Sequence, residues 1–407
     1  MQTNVTLEEA LQRASRPLQK KIMHSVELLR KAEKIALSYD KTDGFYLAFS
    51  GGKDSQALLH IAQIGGVKFK PHMSLTSVDP PEVIRFVKRN YPEVELIKPK
   101  DSIYNIAIKR KILPTMRVRW CCAEYKENAG AGKVTLIGIR HAESSRRAKR
   151  NEVEISSRKF SGSLEELEEY RHEQRVKRAK KKSQKDGINI MNADQEQTLG
   201  CIHGKESLLI SPIIHWTEKD VWEFLNGVVQ VPHCELYDEG WHRIGCIGCP
   251  MSNKKHHLME EKRWPHVKRN WIKAIKAIRN GGGVFKGEYI WWNIQANPRM
   301  WGGVVGSPNP RYVINREWLQ RPEQWLRVPS QQPRLLHQRQ GYASLSTIFG
   351  FSESSSPDRL TEEQENEIAE NIYDWWISGI GYREWYAKKF LQQKIDFDFS
   401  EEKEDDT

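Results

Sequence analysis

The feature that most constrains this chain is one short segment, Ser50-Gly51-Gly52-Lys53-Asp54-Ser55, set between two kinds of periodicity. Before it, Phe45-Tyr46-Leu47-Ala48-Phe49 is an apolar run of the sort that forms a strand covered on both faces of a parallel sheet. After it, residues 56–63 resume helical spacing. Small residues between a strand and a helix let successive backbone N–H groups turn toward one anion. The helix that follows adds the positive end of its dipole. Lys53 supplies a mobile cation for phosphate oxygens, and Asp54 a carboxylate able to help hold magnesium. An ordinary strand-to-helix turn needs no such combination of glycine pair, lysine and two serines. The segment is not a Walker A loop, because the residues which that motif places between its first glycine and its Gly-Lys pair are missing.

The same alternation continues downstream. Residues 72–78 read as a second strand ending at Asp79-Pro80-Pro81, residues 82–90 as a helix with a basic face, and residues 94–97 as a third strand. Residues 134–139 read as a fourth strand, ending at Arg140. The expected fold is therefore α/β, an open parallel sheet with helices on both faces, with ligands at the carboxyl ends of the strands. By that rule Asp79, at the end of the second strand, stands where such a sheet contacts adenosine. Residues 7–38 carry the apolar spacing of one long helix, and residues 208–214 lead into a helix that Thr217 caps with Asp220.

Composition divides the rest. Residues 1–40 form an N-terminal helical segment, and residues 41–280 the α/β domain with a charged insertion near 150–200. Within the insertion, Arg175-Val176-Lys177-Arg178-Ala179-Lys180-Lys181-Lys182 is either a solvated helix or an arm for nucleic acid or phosphate. Residues 281–400 are rich in tryptophan and expected to be mainly helical, and residues 401–407 form an acidic tail. The tryptophans after residue 263, interleaved with arginines, suit either stacking on unpaired bases or an aromatic-anchored core, and the core is favoured. Lys and Arg total 64 against 53 Asp and Glu, a net charge of +11 that favours polyanionic partners without choosing among them. No stretch approaches the ~18 apolar residues of a membrane span, and no apolar run follows Met1-Gln2-Thr3-Asn4 as in an export signal. The expected location is the cytoplasm.

In that compartment six cysteines are not expected to form structural disulfides. They fall as an adjacent pair (Cys121, Cys122), two singles (Cys201, Cys234) and Cys246-x-x-Cys249. Cys-x-x-Cys is a two-thiolate claw for zinc or iron, and a second pair completes four ligands. Adjacent cysteines suit a cuboidal cluster, where each thiolate takes a different iron. Arg117, Arg119, Lys126 and Arg243 supply nearby positive charge. Buried, inert thiols are the plain alternative. His203, His215, His233 and His242 lie near the cysteine segments and read as packing or surface residues rather than ligands.

These motifs together resemble a known family. The hexad resembles the PP-loop signature, and residues 25–263 as a whole resemble the phosphoadenosine-phosphosulfate (PAPS) reductase family. The cysteine arrangement, Tyr237-Asp238-Glu239-Gly240 before Ile244-Gly245-Cys246, and Gly138-Ile139-Arg140 before Glu143-Ser144-Ser145-Arg146 carry that resemblance. It implies cleavage of ATP between the α and β phosphates, with Lys53 and Asp54 catalytic and Ser50, Gly51, Gly52, Ser55, Asp79, Gly138 and Arg140 around the nucleotide. It further implies that Ser145 and Arg146 contact the nucleotide or the group to be activated. Magnesium and a [4Fe–4S] cluster on Cys121, Cys122, Cys246 and Cys249 are the implied cofactors, with Cys201 and Cys234 as possible substitutes.

Two departures from the iron–sulfur adenosine-phosphosulfate reductases stand out. This chain has no cysteine after Cys249, where the reductases carry a nucleophilic one, and its hexad is intact, where theirs is usually altered. Both favour relatives that keep ATP cleavage, such as the small subunit of bacterial ATP sulfurylase and the ATP-pyrophosphatase subunit of DNA phosphorothioation systems. The expected function is adenylation of a substrate followed by sulfur transfer, with nucleic acid and a cysteine desulfurase or other sulfur donor as partners and no membrane. A sulfonucleotide reductase using an external thiol, a sulfate-adenylating subunit, and a nucleic-acid-binding module with a structural metal remain alternatives.

Overall fold

The computed structural model of the chain describes residues 5–116, 118–186, 202, 204–278, 361–378 and 385. The described chain forms two compact units, one of residues 1–103 and 119–247, the other of residues 104–118 and 248–407.

The first unit is built on a seven-stranded sheet in the order β3-β2-β1-β4-β7-β5-β6. Its strands are β1 (Phe45–Ala48), β2 (Phe69–Ser74), β3 (Glu95–Ile97), β4 (Val134–Leu136), β5 (Val153–Ile155), β6 (Ser161–Gly162) and β7 (Leu208–Ile210). Strands β3, β2, β1, β4 and β7 run parallel, paired for example Leu47 with Pro71 and Leu47 with Leu136. Phe45, Leu47, Val134 and Leu136 are fully buried, which is why the central strands read as apolar runs without alternation. Helix α1 (Leu7–Arg13) and helix α2 (Arg16–Tyr39) precede β1, and α2 packs on β1 and β4. Leu18, Ile22, Leu29 and Ala32 of α2 are fully buried at helical spacing, the leucines and isoleucine stabilising the fold by on the order of 2 kcal/mol each.

Two expectations are corrected here, and the expected parallel sheet gains an antiparallel edge. The single helix over 7–38 is two helices, because Pro17 lacks the N–H that a continuous helix would bond to the carbonyl of residue 13. The second strand stops at Ser74 rather than 78, and Ser77 adopts φ 65°, which extended pairing does not allow. The sheet is not wholly parallel. The expected insertion near 150–200 contributes β5 and β6, with β5 antiparallel to both β7 and β6. Val153 and Ile155 are buried on either side of half-buried Glu154, an alternation hidden in a charged stretch. The insertion continues into helix α7 (Leu164–Asp186).

In the second unit, helices α9 (Lys254–Arg263), α10 (Pro265–Ile278) and α11 (Glu362–Ser378) are joined by most of α5 (Ile103–Arg110). The Trp271 ring meets Tyr104 edge-on at 4.9 Å and Trp376 at 4.8 Å. Trp376 donates its indole N–H to the Pro114 carbonyl at 2.5 Å. Trp264, Trp271, Trp375, Trp376 and Trp385 are all buried, so the described tryptophans pack a core rather than present stacking faces. Trp291, Trp292, Trp301, Trp318, Trp325, the proposed boundary near 281 and the acidic tail 401–407 lie outside the described residues. No described helix is long and apolar enough to cross a membrane.

Helix α3 (Lys53–Gly65) buries a polar relay. Gln56 donates to the Tyr91 hydroxyl at 2.8 Å, that hydroxyl lies 3.0 Å from His60 Nε2, and His60 Nδ1 lies 2.9 Å from Gln63 Oε1. Burial pushes His60 from 6.5 down to about 4. A lowered folded-state value means that this stability is complete above 6.5 and is lost as pH falls toward 4. The loss approaches ~3 kcal/mol. Unfolding titrations of wild type and His60→Gln are therefore expected to converge as pH falls through that window; parallel pH dependences would contradict the assignment.

Candidate functional site

The chain leaves β1 toward β2 and β3 on one side and returns to β4 on the other. Beyond the carboxyl ends of β1 and β4 the loops therefore diverge, which is where an open α/β sheet forms its ligand crevice. A pocket of about 170 Å³ opens there, lined by Ser50, Gly52, Lys53 and Asp54 from the loop after β1 and Gly138 from the loop after β4.

The hexad builds the floor. Gly51 sits at φ 73°, and a Cβ there would come within 2.7 Å of Val83 Cγ1 and 2.8 Å of Val87 Cγ2. Only glycine permits both this backbone and this approach to helix α4 (Pro81–Asn90). Gly138 is equally close, since a Cβ there would lie 3.0 Å from the Asp54 carbonyl oxygen. Ser55 Oγ donates to the Gly52 carbonyl at 2.8 Å and accepts from Ser50 N–H at 3.2 Å, fixing the turn. Helix α1 closes its N-terminus with a capping box of Thr6 and Glu9, and helix α8 (Glu218–Glu223) does so with Thr217 and Asp220. Helix α3 has Gly52 as its N-cap, a residue with no side chain to cap it, and its first turn lines the pocket.

The walls are cationic. Lys53 is buried, with its ammonium 2.8 Å from the His242 carbonyl, 3.3 Å from Glu218 and 5.3 Å from the centre of the Tyr237 ring. The Tyr237 hydroxyl accepts the Lys53 backbone N–H at 2.8 Å, and burial raises its phenol so that it stays protonated. Buried Arg140 places Nε 2.7 Å from Asp54 Oδ1 and its backbone N–H on Glu143. Arg147 pairs with Glu143. Burial, then the positive charge of Arg243, lowers Arg147 to about 10. A guanidinium crowded in this way is relieved by an anion.

The structure thus brings Ser50, Gly51, Gly52, Lys53, Asp54, Ser55, Gly138 and Arg140 together, as the sequence implied. It leaves Ser145 and Arg146 exposed and outside the pocket lining, which instead takes Glu143 and Arg147 from the same turn. Sequence reasoning also missed Tyr237 as the partner of the hexad, although the segment around it was singled out. Asp79 accepts the Thr76 N–H at 2.5 Å and belongs with the cysteines rather than the pocket.

Cys121 and Cys122 end the short helix α6 (Trp120–Cys122), and both are half-buried. A hydrogen bond from Cys121, reinforced by Arg119 and Lys126, lowers the Cys122 thiol to about 6. Lys126 Nζ lies 3.3 Å from Cys246 Sγ, and the negative charge of Cys246, with Asp79 and Cys122 beyond, raises the lysine. Thr76 Oγ1 lies 3.5 Å from the same sulfur. Cys246 therefore touches the ammonium group, Cys122 lies within its electrostatic reach, and Cys121 is hydrogen-bonded to Cys122. Cys249 begins the second unit and is half-buried. Cys234 is fully buried and its thiol is pushed up by burial, the state of a packed neutral side chain, while Cys201 lies outside the described residues. His233 pairs with Asp238 at 2.9 Å, and His203 lies outside the described residues.

A mostly parallel sheet with a glycine-floored pocket at its switch point has the form of a nucleotide-binding α/β protein. Comparison with known sequences is more specific. The profile of the phosphoadenosine phosphosulfate reductase domain matches residues 44–252, half of the chain. The chain belongs to that family and is a nucleotide-binding protein of the PP-loop superfamily. It is 22% identical over 275 residues to an uncharacterized protein of Methanocaldococcus jannaschii, covering 66% of this chain and 56% of the relative. It is 46% identical over 44 residues to an adenosine 5'-phosphosulfate reductase of Oceanobacillus iheyensis, covering 11% of this chain and 18% of the reductase. The chain thus spans little more than half the length of the first of these relatives, and far less of the reductase. Among solved structures, an FMN adenylyltransferase of Candida glabrata with FAD and inorganic pyrophosphate aligns at a TM-score of 0.36 and 14% identity, over 60% of this chain and 68% of that one.

The Gly51 geometry makes a direct prediction. Gly51→Ala combines a positive φ with overlap on two valines and is expected to cost about 1–3 kcal/mol. Gly66→Ala has φ 69° but open space around the new methyl, so only the backbone term of about 1 kcal/mol applies. Thermal unfolding of both variants checks this, and an equal or smaller loss for Gly51→Ala would contradict it.

Proposed function

We propose that this chain is an ATP pyrophosphatase that adenylates a substrate and supports sulfur transfer to it. The observation that carries this reading is the intact hexad at the N-terminus of α3, with buried Lys53 lining a pocket where Arg147 and Arg243 gather. ATP enters with magnesium as its counter-ion. Its phosphates lie over Ser50 to Ser55, where backbone N–H groups, Lys53 and the arginines meet charge developing on the α–β bridge and on departing pyrophosphate. A substrate oxygen attacks the α phosphorus, the α–β bond breaks, and pyrophosphate leaves with the bridging electrons. A sulfur nucleophile then attacks the activated carbon or phosphorus and displaces AMP. Asp54 holds Arg140 in place through its Oδ1, giving that carboxylate a positioning role beside the magnesium role the resemblance implies.

Cys121, Cys122, Cys246 and Cys249 are the proposed ligands of an iron–sulfur cluster. The donors fit it: one thiol held at about 6, and a lysine and an arginine ready to offset thiolate charge. When bound, such a cluster supplies electron transfer or an iron that binds sulfur. The basic run in α7 is the proposed contact for a nucleic-acid acceptor, and a cysteine desulfurase or similar donor the proposed sulfur source, in the cytoplasm. The short segments similar to adenosine 5'-phosphosulfate reductases support a second reading, reduction of a sulfonucleotide in the same pocket.

Anaerobically purified protein is expected to release pyrophosphate from magnesium-ATP, with at least about a hundredfold loss in Lys53→Ala. The same sample is expected to carry about four irons per chain. Iron without Lys53-dependent pyrophosphate release, together with consumption of adenosine phosphosulfate by an added thiol, would replace the first reading by the second.

A further inference from the structure

Away from the pocket, three side chains from three segments converge: His24 from α2, Glu152 just before β5, and His215 in the turn after β7. His24 Nε2 lies 2.5 Å and His215 Nε2 3.0 Å from the same oxygen, Glu152 Oε1. All three ligand atoms lie within 4.8 Å of one another. We infer that this triad is a binding site for a divalent d-block cation such as zinc.

The chemistry of the donors points that way. Two imidazoles and one carboxylate make a set that zinc, cobalt and nickel prefer over calcium or magnesium. In tetrahedral coordination with bonds of about 2.0–2.1 Å, ligand atoms stand roughly 3.3–3.5 Å apart. The observed spacing needs the His24 ring to open by about one ångström. His24 and His215 are about half exposed, at 49% and 51%, so both rings are free to make that adjustment. The exposure also leaves room for water in the fourth position, beside a pocket of about 170 Å³ between His24, Pro212, His215 and Trp216.

The backbone beneath the triad is fixed from three sides, so the ligands are held before any ion arrives. Next to His24, Ser25 Oγ donates to the Pro212 carbonyl at 2.6 Å and accepts the Trp216 indole N–H at 3.1 Å. That pair ties α2 to the turn carrying His215. The Glu152 carbonyl accepts the Ser211 N–H at 2.8 Å, which sets the carboxylate opposite the same turn. His141 stacks edge-on against His215 at 5.1 Å and gives its own Nε2 to the Arg150 carbonyl, so it braces the ring rather than joining the ligands. Lys21, half-buried one turn before Ser25, is already paired with Asp220 at 2.5 Å.

The competing account is a carboxylate shared by two N–H donors with no metal. Cobalt titration of the full-length protein, purified without added metal, separates the two. Wild type is expected to develop the visible bands of nitrogen- and oxygen-ligated cobalt, distinct from the near-ultraviolet charge-transfer bands that cysteine-bound cobalt adds. Those visible bands are expected to weaken at least about tenfold in affinity in His24→Ala and in Glu152→Gln, with the thiolate bands unchanged. His24 is half exposed and Glu152→Gln keeps the shape of its side chain, so melting temperatures close to wild type are expected in the absence of metal. Zinc is expected to raise the melting temperature of wild type more than that of either variant. Identical cobalt spectra and identical zinc responses in wild type and both variants would overturn the proposal.

Discussion

The ion pair between Asp54 and Arg140 is the interaction on which the site depends. It joins the loop after β1 to the loop after β4, at 2.7 Å and with Arg140 buried. Those strands are neighbours in the sheet but far apart in the chain, separated by the excursion through β2 and β3. The two loops can close on one another only because Gly138 lets the backbone pass within contact of Asp54, and because Gly51 turns away against α4. The pair thus converts a topological feature, the switch in strand order, into a specific crevice. Lys53 and Arg147, each beside a carboxylate, line the same crevice together with Arg243. Breaking the Asp54–Arg140 pair would leave a buried guanidinium unpaired, which is costly in a way that losing an exposed pair is not.

How much of this was legible in the sequence follows from the distance over which each signal acts. The hexad is a local signal, since strand, turn and helix are contiguous, and its residues sit together in the turn between β1 and α3. The central strands were legible because full burial gives uninterrupted apolar runs. The edge strands β5 and β6 were not, because they are only three and two residues long and lie in a charged stretch. Arg147 and Tyr237 escaped notice for a different reason. Their role comes from where tertiary packing aims them, and the sequence pattern around Glu143 to Arg146 pointed one residue short. Asp79 follows the second strand but accepts the Thr76 N–H and lies outside the pocket lining, Ser77 turning the chain at a positive φ just before it.

The same unit holds two chemical environments that share no side chain. The pocket gathers lysine and arginine, while Cys246 and Cys122 lie near Lys126, with Cys121 hydrogen-bonded to Cys122. In each, a positive group is held in place by protein before any ligand arrives, which lowers the reorganisation needed at the moment of binding. The long excursion between β4 and β7 supplies Glu143, Arg147 and Glu152, so a segment that reads as an insertion carries much of what distinguishes this chain.

The central claim is that a triphosphate occupies the crevice between the loops after β1 and β4. Amide hydrogen exchange with and without magnesium and α,β-methylene-ATP measures this most directly. Slower exchange confined to residues 50–55 and 138–147 is the predicted result. Unchanged exchange in both segments at saturating nucleotide would contradict it.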